Sequence, residues 1–298
     1  MPNYTFFAFG RKGVHSMMIL YAVILGLVQG VAEFLPISSS GHLALLENIL
    51  GASGLAELDG SAFFNILLHL ATLVAVCIAY WQDIFDMLLE VGDMAGDLFR
   101  GRGLSARGKP TRKLIYMLIL ATVPLFVIVP FNDAIESLSS IPWFIGAALI
   151  LTGTLLYIAD RLPRGDKTEG TMTALDAIII GVAQGLATIP GLSRSGTTIA
   201  AGMGRGLKRS FAVRFSFLMS LLSVAGAAVL AVLDVLEEGI NTAMLPAYGV
   251  GMLVAGVTGY LSIRLLQRIV RKGKFGGFAY YCWFVGVISI LVWFRLSM

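Results

Sequence analysis

The chain has 298 residues, 57% of them apolar and 13% charged, whereas soluble domains are about 45–50% apolar and about 25% charged. This composition excludes a water-soluble globular body and provides for several bilayer crossings of about 20 residues each. The net charge of +4 arises from 22 basic and 18 acidic residues, and the basic ones are scattered through short loops, which argues against a nucleic-acid partner.

Arg11 and Lys12 precede an apolar stretch that starts at Met17. No small-residue cleavage site follows, so the first segment is expected to be retained rather than removed as a signal peptide. The stretch 17–50 is interrupted by "PISSSGH", and the stretch 173–206 by "PGLSRSGTT". Between and after them lie six uninterrupted runs long enough to span a bilayer, at about 62–81, 114–132, 142–160, 211–234, 246–269 and 277–297. Between the first two runs, Asp83, Asp86, Glu90, Asp93 and Asp97 recur at helical spacing, with Phe85, Leu88, Leu89 and Phe99 largely opposite. This pattern predicts an interfacial helix with a solvated acidic face, with a metal site as the alternative. Cys77 and Cys282 lie inside apolar runs without metal or redox spacing and are expected to serve packing.

Arg100, Arg102, Arg107, Lys109, Arg112 and Lys113 fall between the first two runs. Arg161, Arg164 and Lys167, and then Arg268, Arg271, Lys272 and Lys274, fall in two later connections. The positive-inside rule makes all three cytoplasmic. The intervening loops carry Asp133, Glu136, Glu237 and Glu238 and no lysine or arginine, as external loops should. Arg11 and Lys12 would then lie outside, against the rule, and the three basic loops outweigh them.

"GLVQGVAEFLPISSSG" (26–41) aligns with "GVAQGLATIPGLSRSG" (181–196) at a constant offset, with identities at Gly26, Gln29, Gly30, Ala32, Ser38, Ser40 and Gly41. Each copy comprises one interrupted segment and three spans, so an odd number of crossings inverts the second copy. The expected fold is an all-α polytopic membrane protein with about six transmembrane helices plus two re-entrant helical hairpins in an inverted repeat. It forms a single domain, with repeat 1 at about 17–160 and repeat 2 at about 173–297. Irregular backbone at membrane depth must be buried in protein or face a watery cavity, so the two tips are expected to meet near the midplane.

Serines after the proline, ahead of "HLALLENIL", suit a helix N-terminus, where free N–H groups favour an anion. Ser193, Ser195, Thr197 and Thr198 repeat the arrangement ahead of "IAAGM". Arg194 at membrane depth calls for an anionic partner, and its planar fork matches phosphate oxygens. Gln29 and Glu33 share a helical face. Glu33 either holds a divalent cation, Mg²⁺ or another such as Ca²⁺, against phosphate, or acts as a base. Ser39 and His42 offer a nucleophile and a proton carrier. The structural alternatives are that Ser38, Ser39 and Ser40 only cap a helix, that His42 is only interfacial, and that Glu33 and Arg194 form an internal ion pair. His69, in "NILLHLATL", reads as a satisfied interior histidine. Gly30, Gly185 and Gly196 suit close helix approach or the turns. Ala255 and Gly259, four apart, permit helix contact within or between chains, leaving a homodimer open.

With these residues in view, "QGVAEFLPISSSGH" resembles the (E/Q)xxxE segment, and "PGLSRSGTT" the PGxSRSxxT segment, of the bacitracin-resistance undecaprenyl-pyrophosphate phosphatase family. The similarity extends over essentially the whole chain. It implies hydrolysis of a C55 isoprenoid diphosphate to its monophosphate plus inorganic phosphate, which recycles the carrier for peptidoglycan. It also implies a bacterial plasma membrane and a site facing its outer side. Position by position, the acidic motif falls on Gln29 and Glu33, the serine pair on Ser38 and Ser39, and the histidine on His42. The arginine motif falls on Ser193, Arg194, Ser195 and Thr198. Gln29 is the amide variant, which cannot act as a base and ligates metal less strongly than a carboxylate. The rival class is a carrier of polyprenyl phosphate or a small anion, since interrupted helices in an inverted repeat also build transporters.

Overall fold

The computed structural model describes residues 11–52, 62–238 and 244–297. Among them the chain is helical without a strand, apart from a parallel bridge between Lys167 and Leu207. A first hairpin joins α1 (Arg11–Phe34) to α2 (Ser39–Ala52). α3 (Ala62–Ala79) then bends by 82° into α4 (Trp81–Phe99). α5 (Pro110–Thr122), the short α6 (Leu125–Ile128) and α7 (Asn132–Ser137), and α8 (Pro142–Arg161) follow. A second hairpin joins α9 (Ala174–Leu186) to α10 (Arg194–Gly204), and α11 (Arg209–Glu238), α12 (Leu245–Arg271) and α13 (Gly277–Ser297) complete the chain. Proline sits in the first turn of α5, α8 and α12, where its missing N–H costs nothing. Pro124 lacks the N–H that would continue the α5 ladder, which breaks into α6.

α1, α5 with α6, α8, α12 and α13 are long and apolar enough to cross a membrane, and α3 with α4 qualifies as a bent pair. The chain is therefore a multi-pass, all-α membrane protein. The two hairpins differ in one respect. α1 has 24 residues, about 36 Å, enough to span by itself, whereas α9 has 13, about 20 Å. The first arm is longer because its helix extends back to Arg11. The side chains of Arg11, Lys12, Asp133, Glu136, Glu237 and Glu238, on which part of the topology argument rests, lie outside those described.

Small residues let the helices approach closely. A Cβ on Gly26 would lie 2.5 Å from the Gly251 carbonyl oxygen, and one on Gly30 2.5 Å from that of Ala255, so α1 and α12 are nearly in backbone contact. Under the repeat offset, Gly26 corresponds to Gly181 of α9, which abuts the backbone of Ala121 in α5. α8 and α13 meet in the same way at Gly146 and Gly286. Ala255 and Gly259 are consumed within the chain, against Gly30 and Phe34. Gly30→Val places two methyls against α12, and such overpacking costs about 1–3 kcal/mol. The variant is expected to melt lower and to lose activity, because Gln29 and Glu33 flank this seam; a detergent melting curve and a turnover assay check both.

The acidic face of α4 is not simply solvated. Asp83 pairs with Arg214 at 2.6 Å, Glu90 with Arg112 at 2.6 Å, and Asp97 with Arg112 at 2.8 Å and Lys109 at 3.1 Å. Asp86 and Asp93 make no ion pair among the described residues. The cations of α5 and α11 take up the acids because α4 folds back over their ends, which periodicity alone does not reveal. Hydrogen bonds from Arg112, then Lys109, hold the Asp97 carboxyl below the usual carboxylate range. No residue of α4 is buried, and Phe85, Leu88, Leu89 and Phe99 are exposed, as an interfacial helix requires.

Candidate active site

The two hairpin tips share a cap. Ser38 Oγ accepts a hydrogen bond from the Gly41 N–H at 3.2 Å, and Ser193 Oγ accepts one from the Gly196 N–H at 3.1 Å. These are corresponding positions of the two sequence copies. Their Oγ atoms also contact Ser40 at 3.4 Å and Ser195 at 3.3 Å, respectively. Ser38 has φ +71°, which costs a non-glycine residue about 1–3 kcal/mol. The second turn places its left-handed residue at Gly191, φ +92°, where a Cβ would lie 2.7 Å from the Ile145 carbonyl oxygen. The strained serine makes Ser39 the first residue of α2, and the Ser193 cap makes Arg194 the first residue of α10.

Glu33, at the end of α1, receives both. Its Oε1 is hydrogen-bonded and ion-paired to Arg194 Nη2. Ser39 Oγ donates to Oε2 at 2.7 Å, and Gln29 Nε2 donates to Oε2 at 3.3 Å. His69 Nε2, from the middle of α3, stands 3.9 Å from the same oxygen. The Glu33 side chain is 7% exposed and that of Arg194 28%. The ion pair weighed as a structural alternative is therefore present, and it is also what joins the anionic segment to the cationic one. A cavity of about 170 Å³ lies against it, lined by Glu33, Ser39, Ser40, His69, Ser193 and Arg194, with Thr188 at its wall. Two hollows of about 270 Å³ near Lys208 and Arg271 contain no residue of either motif.

Three residues of the motifs point elsewhere. His42 donates through Nδ1 to the Ser38 carbonyl at 2.8 Å and meets the Tyr281 hydroxyl through Nε2 at 2.8 Å, with the two rings stacked. It makes no hydrogen bond to Ser39, so the two do not form a pair in this state. Thr198 is buried and bonded to Ser216 at 2.6 Å and to the Arg194 carbonyl at 2.8 Å, bracing α10. Ser195 lines a narrow hollow on the far side of the ion pair, with Ser216 and Ser220. His69 is the opposite case. A lone histidine in an apolar run carries no periodic signal, and only the packing of α3 brings it to Glu33.

No three His, Cys, Asp or Glu residues cluster for a metal among the described residues. The nearby donors are nevertheless suited to Mg²⁺ or Ca²⁺, which take oxygen ligands and readily accept one carboxylate plus substrate phosphates. Glu33 supplies the carboxylate, and Gln29, fully buried, keeps its Oε1 without a hydrogen-bond partner among the described residues.

Fold and site together define a polytopic helical membrane protein whose two hairpin tips enclose a buried, charged pocket. Residues 22–288 match the family model described as Bacitracin resistance protein BacA, and the chain belongs to that family. A relative named undecaprenyl-diphosphatase from Alkaliphilus metalliredigens is 41% identical over 276 residues, 92% of this chain and 98% of its own. Relatives of the same name from Methanosphaera stadtmanae (38% identical, 92% of this chain and 98% of its own) and Carboxydothermus hydrogenoformans (40%, 91% and 95%) are similar throughout as well.

Proposed function

We propose that the protein is a membrane phosphatase that hydrolyses undecaprenyl diphosphate to undecaprenyl phosphate and orthophosphate, returning the lipid carrier to peptidoglycan synthesis. The observation that carries this is the meeting of Glu33, Ser39 and Arg194 across 161 residues of sequence in one pocket. Membership of the family and the shared name of its relatives support the same activity.

The chemistry follows from the site. The lipid lowers its diphosphate between the tips while its tail stays among the hydrocarbon chains. Arg194 turns from Glu33 to the terminal phosphate and, with the N–H groups that begin α2 and α10, holds the charge that spreads over its oxygens. Ser193 and Ser38 keep those helix starts in place through their caps. Glu33 holds Ser39 toward the phosphate. Mg²⁺ or Ca²⁺, held by Glu33 with Gln29, supplies further charge neutralisation when bound. Positioning and charge neutralisation account for most of the rate.

The domain plan belongs to the same proposal: one membrane-embedded unit of two inverted copies. It is supported by the matched caps and by the paired seams of α1 on α12 and α9 on α5. The membrane is the plasma membrane, and the pocket opens to its outer side.

A carrier of the same lipid would need the pocket but not its acid and serine. Purified protein in detergent, where no gradient exists, is expected to release orthophosphate from a long-chain polyprenyl diphosphate, and to slow on removal of divalent cations by chelation. Binding of that lipid without release of phosphate would favour the carrier.

A further inference from the structure

His69 was not expected in the site, and its hydrogen bonding limits what it can do there. Its Nδ1 lies 2.8 Å from the Asn65 carbonyl oxygen. A carbonyl only accepts, so Nδ1 carries a proton, and Nε2 is the ring nitrogen whose lone pair can accept when it carries none. His69 lines the cavity, and 39% of its side chain is exposed. Glu33 Oε2, another acceptor, stands 3.9 Å from Nε2. That distance is too long for a direct hydrogen bond and leaves two acceptors facing one gap.

A gap between two acceptors calls for a group with two protons to give. A water with its oxygen at about 2.8 Å from each acceptor subtends an angle of about 90° between them, close enough to its own H–O–H angle for both bonds to be good. Its lone pairs then point away from both acceptors, and Arg194 lines the same cavity.

Building on the hydrolase reading above, we propose that Glu33 Oε2 and His69 Nε2 together seat the attacking water, which makes His69 a water-positioning residue of the reaction. The water oxygen bonds to the terminal phosphorus as the bridging P–O bond to the lipid phosphate breaks. Both water protons leave on the orthophosphate, and the lipid departs as its phosphate monoester, so atoms and charge balance without a permanent proton acceptor. The role resembles the glutamine that orients water in a GTPase, where a hydrogen-bond acceptor in the right place suffices.

The test is a turnover assay in detergent with separate kcat and KM for His69→Leu and His69→Gln, alongside melting curves. His69→Leu is expected to lower kcat by about 10²-fold, with KM changed by less than about 2-fold and the fold retained. His69→Gln keeps an acceptor at similar reach and is expected to recover at least about a tenth of the normal kcat. His69→Ala carries the same expectation as His69→Leu should the leucine prevent folding. The seat is overturned if the apolar variant keeps kcat within about 2-fold, if its loss is confined to KM, or if His69→Gln is as slow as His69→Leu. Failure of the unaltered protein to release orthophosphate refutes the hydrolase itself, and the seat with it. Normal release combined with full kcat in His69→Leu refutes the seat alone.

Discussion

Arg194→Ala is expected to lower kcat for orthophosphate release by about 10³–10⁵-fold, the range for losing a guanidinium that stabilises a transferring phosphoryl group. The reason lies in where the side chain starts. As the first residue of α10 it shares its position with free helix N–H groups, so the guanidinium and the helix start act on one anion. Alanine removes the fork and leaves Glu33, 7% exposed, without its cation. Breaking a buried pair costs about 3–5 kcal/mol, and the 28% exposure of Arg194 puts this case at the lower end or below. Some loss of stability therefore accompanies the loss of rate, and a melting curve separates the two. Arg194→Lys keeps the charge but not the planar fork and is expected to fall between alanine and the unaltered protein. Activity that survives in Arg194→Ala within about tenfold would remove the central element of the mechanism.

Glu33→Gln carries the second large effect. The amide is nearly the same shape but keeps one acceptor oxygen, so it can accept from Ser39 and Gln29 on one side or from Arg194 on the other but not from both, and the fold is expected to persist while one of these contacts is lost. What disappears is the negative charge that anchors Arg194 between turnovers and that would hold a divalent cation. A kcat lower by about 10²–10⁴-fold is expected, with a weaker apparent affinity for Mg²⁺. Because Glu33, Arg194 and Ser39 touch one another, the double variant Glu33→Gln with Arg194→Ala should be little worse than Arg194→Ala alone, as for any residues that act as a unit. Multiplying losses in the double variant would mean that the two act independently and that the resting contact between them is incidental.

Much of the local structure was legible in the amino-acid order. The caps were, because a serine three residues before a glycine at a helix start is a short-range signal that repeats at Ser38 and Ser193. Four of the six expected spans were, at α5 with α6, α8, α12 and α13, because an apolar run of bilayer length has few other uses, while the run at 62–81 is one arm of the bent pair. The two-faced helix α4 also followed from its period, but the fate of its acids did not: Arg112 and Arg214 reach them from other helices.

The sequence by itself determined the solvent, the helices, the two matched tips and which residues at those tips carry charge. Only the tertiary structure decided which of them share a pocket. It brought Arg194 to Glu33, turned His42 toward Tyr281 and Thr198 toward Ser216, and recruited His69 from an apolar helix that bears no mark of the site. Caps and periods act over three or four neighbouring residues and so are written in their order. The convergence of distant side chains depends on how closely α1, α3 and α12 pack, which is set by glycine contacts such as Gly30 on Ala255, between residues far apart in the chain.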